Sequence, residues 1–304
     1  MSINFLKYKK IYYILSALLS LAAIFSLSFF GLKFGIDFSG GSILEADFEA
    51  RPENAAIQEK LKDLNLGEMT IQPTQEKGVI LRMKEIDEET HQQVIAKLGE
   101  LSKIEEKRFE SIGPAIGEEL RQKTIILIII SLAALLIYIA ISFRKVSKPI
   151  SGWQYGITSI LTLTFDVFIT IGVFALLGKF YNVQFNISIV TALLTILGYT
   201  INDKVIVFDR VRENILKSRE LDFENLVDRS LNQTLTRSLS TGFCSLLVLF
   251  FIFVFGGETL KYFSLTLIVG IIIGTYSSLF LAAPFLVSWF GWRQKRLTSM
   301  VKNG

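Results

Sequence analysis

The chain has 304 residues; 51% are hydrophobic and the mean hydropathy is +0.46, yet 20% are charged, so the charges must be segregated from long apolar runs. Runs such as Thr124 to Phe143, twenty residues without a charge, match a hydrocarbon layer of about 30 Å and exclude a soluble cytoplasmic enzyme. The net charge of +4 is no nucleic-acid signal, because the segment from Lys33 to Lys123 holds 13 basic and 19 acidic residues, net −6, leaving the remainder at net +10.

Lys7, Lys9 and Lys10 precede Ile11 to Leu32, whose 22 uncharged residues exceed a signal-peptide core and predict a retained anchor. Further spans are predicted at Thr124 to Phe143, Ile150 to Gly178, Ile187 to Phe208, Ser238 to Phe255 and Tyr262 to Phe290, six in all. Orientation follows from Lys and Arg in short loops. One side holds Lys7, Lys9, Lys10, Arg144, Lys145, Lys148, Arg210, Arg212, Lys217, Arg219, Arg229, Arg293, Lys295, Arg296 and Lys302, whereas the other has Lys179 and Lys261. Both termini are therefore expected in the cytoplasm and the long loop outside it. The chain reads as residues 1–32 (N-terminus and first span), 33–123 (extracytoplasmic domain), 124–290 (five-span bundle) and 291–304 (cytoplasmic tail). The single cysteine, Cys244, allows no internal disulfide, and no Cys/His metal spacing exists. His91, in a polar stretch, reads as a solvated surface histidine.

The long loop has its own order. Leu44, Ala46 and Phe48 alternate with Glu45, Asp47 and Glu49, the period of a half-buried strand. Ile57, Leu61 and Leu64 follow at helical spacing after Pro52, and Gly67 and Pro73 bracket a short strand around Met69 and Ile71. Lys77 and Gly78 turn the chain into Val79, Leu81 and Met83; Asp87 caps a helix carrying Val94, Leu98 and Leu101; a last strand runs from Ile104 to Ser111. The string is βαββαβ, the ferredoxin-like split βαβ order, so the expected fold is a polytopic α-helical membrane protein with an extracytoplasmic α+β domain. The loop has no nucleophile elbow, phosphate-cradling loop or HExxH, which argues against an enzyme and for a binding or mechanical role. Its stems are glycine-rich: Gly35, Asp37, Gly40 and Gly41 on one side, Gly113 and Pro114 on the other. They read equally as a hinge or as tight connections.

Ionisable residues at membrane depth are functional candidates, since each costs about 2.5 to 3.5 kcal/mol at a helix centre. Asp166 sits mid-span, either a second protonation site or a neutral group bonded to Thr162 or Thr170 on the same face. Asp203 lies near the end of the fourth span, and Arg237 begins the fifth. Ser188, Thr191, Thr195, Gly198 and Asn202 form a polar or small stripe flanked by Tyr199 and Asp203, and Gln233, Arg237, Ser240 and Cys244 form a second. Two such faces can pack and hydrogen-bond across helices. Asp203 and Arg237 read as a network that gains and loses a proton, or as a static pair fixing helix register. Gly270 and Gly274 form a GxxxG pair. Phe223, Leu226, Val227 and Leu231 make an apolar stripe on a connector helix capped by Asp222, lying on the membrane surface or a partner, or simply solvated.

GIDFSGG (Gly35 to Gly41), SIGPAIGEEL (Ser111 to Leu120), GYTINDKVIVFDRVREN (Gly198 to Asn214), LNQTLTR (Leu231 to Arg237) and FGG (Phe255 to Gly257) closely resemble the SecF family. These are the smaller membrane subunits of the bacterial SecD/SecF complex, related to resistance-nodulation-division transporters. The resemblance covers nearly the whole chain. It implies an inner-membrane protein that, with SecD, uses the proton motive force to help the SecYEG channel export unfolded preproteins, with YajC and membrane lipid as further partners. It implies no cofactor beyond protons as coupling ion. It assigns proton coupling to the ND pair, Asn202 with its acid Asp203, and to the Arg of the QTLxR stretch, Arg237, and matches Asp166 to a membrane acid of less settled role. A small-molecule/proton antiporter half of the same superfamily and a non-transporting, channel-stabilising scaffold are the competing functions.

Overall fold

The computed structural model describes residues 3–74, 77–143, 150–217 and 222–302. Of the basic residues that mark orientation, Arg144, Lys145, Lys148 and Arg219 lie outside these. The chain divides into two compact units, Phe34–Ile126 and a helical unit made of Met1–Lys33 with Leu127–Gly304.

In the α+β unit the sheet starts at Gly41 and follows the hydrophobic alternation. Strand β1 (Gly41–Phe48) buries Leu44, Ala46 and Phe48 on one face. It is followed by a helix at Asn54–Leu61, β2 (Thr70–Thr74), β3 (Gly78–Met83), a helix at Glu88–Gly99 and β4 (Ile104–Ile112). The four-stranded sheet is antiparallel in the order β2-β3-β1-β4, with Leu44 opposite Leu81 and Phe109. Ile57 and Leu61 from the first helix and Val94 and Leu98 from the second fill the core over the sheet. Pro73, expected to end the second strand, instead lies within β2 opposite Val79. An edge strand tolerates its missing N–H.

Asp87 caps the second helix by accepting the Thr90 N–H at 2.9 Å, and hydrogen bonds from Thr90 hold its carboxyl below the usual carboxylate range. His91 is not a surface residue. It is 4% exposed, stacks on Phe109 with ring centroids 3.7 Å apart, and places its nitrogens 3.3 Å from Glu88 and Glu106. The reason is helical period: three and seven residues later come Val94 and Leu98, on the same buried face.

The long helices number from the N-terminus as α1 (Lys9–Phe30), α2 (Pro114–Ser142, whose first turns to Ile126 belong to the α+β unit), α3 (Gly152–Tyr181), α4 (Ile187–Lys217), α5 (Phe223–Phe255), α6 (Glu258–Ser277) and α7 (Ala283–Lys302). A π turn at Ser278–Ala282 joins the last two into one span, so among the described residues six helices are long and apolar enough to cross a membrane. Pro284 supplies the cause, since it cannot donate to Phe280 and its ring pushes the preceding turn open. α3, α4 and the α6–α7 span are the most buried; α1, α2 and α5 are largely exposed outside them. Tyr155, Leu197, Phe208, Leu231, Leu279 and Leu286 belong to the central core.

The connector helix is not a separate surface element. Phe223 opens α5, which runs unbroken for 33 residues, and Phe223, Leu226, Val227 and Leu231 are buried in the central core. The N-terminal segment is tied to the same end of α5: the Lys9 ammonium donates to Glu224 at 2.7 Å, the Leu6 N–H to Asp228 at 3.1 Å, and Ile3 and Asn232 exchange two hydrogen bonds.

Leu44 has no accessible surface, so Leu44→Ala is expected to cost about 2 to 5 kcal/mol in the α+β unit. Urea titration of the full chain, read by proteolysis within residues 34–126, should show the earlier loss of protection.

Candidate functional site

Among the described residues, four charged side chains lie along the apolar reaches of these helices: Asp166 on α3, Asp203 and Lys204 on α4, and Arg237 on α5. Asp166 and Lys204 meet. Both side chains have no accessible surface; Lys204 Nζ donates to Asp166 Oδ2 at 2.7 Å and to Ser277 Oγ at 3.0 Å. The expected threonine partners act elsewhere: Thr170 donates to the Asp166 backbone carbonyl at 2.8 Å, and Thr162 to the carbonyls of Thr158 and Ser159. Sequence reasoning missed Lys204. Its signal was its position on the face of α4 that carries Leu193, Leu197, Thr200, Val207 and Val211, all buried.

Asp203 is 2% exposed, and its Oδ2 has no hydrogen-bond partner. Arg237 is exposed on α5 and makes no ion pair with Asp203 among the described residues. Asn202 is also exposed, on the turn of α4 that holds Asp203.

The two polar stripes join only in part. Tyr199 OH lies 3.1 Å from the Thr241 carbonyl and 3.0 Å from Ser245 Oγ, and Gln233 accepts from Arg210 at 2.7 Å and from Asn214 at 2.8 Å. Elsewhere the stripes face outward: Thr191, Thr195, Gly198 and Asn202 on α4, with Arg237, Ser240 and Cys244 on α5, are exposed. Thr191 and Thr195 satisfy their hydroxyls on their own helix, at the carbonyls of Ile187 and Thr191.

The GxxxG pair has a definite partner. A Cβ at Gly270 would lie 2.1 Å from Ile196, and one at Gly274 would lie 2.0 Å from Thr200, so α6 closes on α4 where only glycine fits. Gly274 is also 3.6 Å, at that Cβ position, from Asp166 Oδ2.

The stem residues belong to the α+β unit. Gly35 precedes the single helical turn Ile36–Ser39, which contains Asp37. Gly40 and Gly41 have φ of +74° and +126°, and a Cβ there would meet Pro114 Cα at 2.9 Å and the Met83 carbonyl at 2.8 Å. Gly113 stands against Glu85, where a Cβ would lie 3.2 Å from its carboxylate. Beside them, Ser42 and Ser111 share a 2.8 Å hydrogen bond and both bond the backbone of Ile86.

Residues 92–292 match the family described as protein export membrane protein SecD/SecF, C-terminal, and residues 25–50 match the SecD/SecF GG motif. The chain is 38% identical over 302 residues to the protein translocase subunit SecF of Thermobaculum terrenum, with 94% of each covered. The chain belongs to the SecF family. It is also 37% identical over 283 residues to the Haemophilus influenzae subunit, covering 92% of this chain and 83% of that relative. Among solved structures, SecDF of Thermus thermophilus, a translocon-associated membrane protein, aligns with a TM-score of 0.83 at 32% identity over 95% of this chain. A SecDF in a super-membrane-facing form aligns with a TM-score of 0.71 at 31% identity over 99% of the chain. The SecF-family chain spans 39% and 40% of the length of these two SecDF chains.

Because α6 meets α4 through glycine, Gly274→Leu is expected to lower the melting temperature of the detergent-solubilised chain by several degrees. Gly198→Ala, with open space around its Cβ, should leave it unchanged or slightly raised in a scanning fluorimetry comparison.

Proposed function

We propose that this chain is the SecF subunit of a proton-driven export motor: with SecD it uses the proton motive force to help SecYEG complete the passage of unfolded preproteins across the bacterial inner membrane. The observation that carries the reading is the outward polar face of α4 and α5, from Thr191 to Asn202 and from Arg237 to Cys244, beside the buried Asp203. Lipid is a poor solvent for such a face, whereas a second helical half supplies hydrogen bonds and close packing. SecD is that half, and the greater length of the matched SecDF chains supports it.

In this reading Asp203 is the proton-accepting group, Arg237 its mobile counter-charge and Asn202 a polar neighbour at the SecD contact. An ionised Asp203 attracts the guanidinium of Arg237; proton uptake removes that attraction and frees Arg237 for the partner or water. One charge moved across the full potential gains about 2.3 kcal/mol per 100 mV, enough to bias two helix packings. The α+β unit lies on the outer side, both termini are cytoplasmic, and YajC and lipid complete the surroundings. Its strand order and two helices support a ferredoxin-like fold. The stem residues Gly35, Asp37, Gly40, Gly41, Gly113 and Pro114 carry movement to it. The subunit performs no bond chemistry and needs no cofactor; protons are the coupling ion.

Asp203→Asn is expected to abolish the proton-dependent part of preprotein export in inner-membrane vesicles while SecD still co-purifies; retained proton-driven export would remove the assignment. Arg237→Ala should fail likewise, and Arg237→Lys should recover part of the activity because charge is kept without the planar fork. Gly198→Leu tests the docking face. It should release SecD in co-purification without changing the melting temperature of the isolated chain.

A further inference from the structure

We propose that Lys204 is a positioning residue that neutralises Asp166 with a fixed ammonium, so that Asp166 is withdrawn from proton traffic and Asp203 is left as the acid that titrates. Asp166 and Lys204 are 2.7 Å apart with no accessible surface on either side chain, and Ser277 Oγ accepts a second hydrogen bond from the ammonium at 3.0 Å. A buried carboxylate needs compensation from a proton or a cation, and here the cation is in place.

The seal is structural. α4 brings Lys204 and Thr200, α3 brings Asp166, and α6 brings Ser277 and Gly274, whose missing side chain lets α6 close over Thr200 and the carboxylate. Other charges around the pair are few. α3 carries no second charge between Gly152 and Gly178, the α6–π turn segment none from Tyr262 to Ala282, and α1 none from Ile11 to Phe30. α4 offers Asp203 and, farther along, Asp209 and Arg210; α5 offers Arg237, which is exposed. Asp203 is the next residue to Lys204, so it projects about 100° around the helix from the sealed pair. Its Oδ2 has no hydrogen-bond partner. Adjacent positions thus separate two roles: one acid held by a cation and one acid without a bonded counter-charge.

The consequence for coupling rests on the proposed function; the charge state of Asp166 does not, and the experiment separates the two. Infrared difference spectra of the full chain in lipid nanodiscs at neutral pH compare wild type with Asp166→Asn. The expected loss is an ionised carboxylate band; loss of a protonated carboxyl band would overturn the proposal. Should Asp166→Asn fail to fold with Lys204 unpaired, wild type minus the Asp166→Asn/Lys204→Met double variant gives the same reading, since replacing both members of a buried pair is far milder than removing one. With SecD present, Lys204→Met should add a second step to the pH profile of proton-driven export, and the double variant should lose that step. Lys204→Arg, which keeps the charge, should retain the wild-type single step. A single step in Lys204→Met would refute the positioning role, while absence of proton-driven export in wild type would refute the proposed function and leave the infrared result standing.

Discussion

A charge in hydrocarbon must be met, and this requirement shapes the helical unit. Lys204 and Asp166 meet it for each other, with Ser277 as third partner, and the pair pins α3, α4 and α6 at one point. The glycines of α6 make the contact reachable: Gly270 lies against Ile196 and Gly274 against Thr200, one turn from Lys204. Core packing along Leu197, Phe208 and Leu279 then continues the same interface. Removal of one charge from this point would leave the other buried without compensation, a penalty of several kcal/mol.

Asp203 is treated differently by the same fold. It is buried like Lys204 but has no ion pair among the described residues, and the helix face beside it is polar, small and outward. In the proposed function SecD covers that face. The arrangement divides labour along two consecutive residues of α4: Lys204 faces the sealed interior, while Asp203 occupies the turn beside the outward polar stripe. In the α+β unit the demand is steric. Gly40 and Gly41 take backbone angles that side chains resist and lie against Pro114 and Met83, so these stem positions are set by close contact.

Much of this was legible in the residues. Uncharged runs marked the spans, because their length is set by the bilayer, and the alternation of Leu44, Ala46 and Phe48 marked the central strand of the sheet. The Asp87 cap was legible from its position before a helical period. Lys204 was not, because its partner Asp166 lies 38 residues earlier on another helix and hydropathy reads each run alone. His91 was misread because polar neighbours in sequence are not neighbours on a helix, where Val94 and Leu98 share its face. The extension of α5 back to Phe223 is not legible in hydropathy because charged residues on its outer face interrupt the apolar run without interrupting the helix. Asp203 and Arg237, which the two stripes suggest as a proton-exchanging network or a static pair, share no ion pair among the described residues, because spacing along each helix does not fix the distance between side chains on two helices.

The central claim is that Asp203 exchanges a proton as the subunit works. Time-resolved infrared spectroscopy of the SecD-containing complex in energised vesicles, with the Asp203 carboxyl assigned by substitution, tests it most directly. The account predicts that this carboxyl alternates between protonated and ionised bands during preprotein export and stops alternating when the proton gradient is collapsed. A carboxyl that holds one charge state throughout turnover would contradict it.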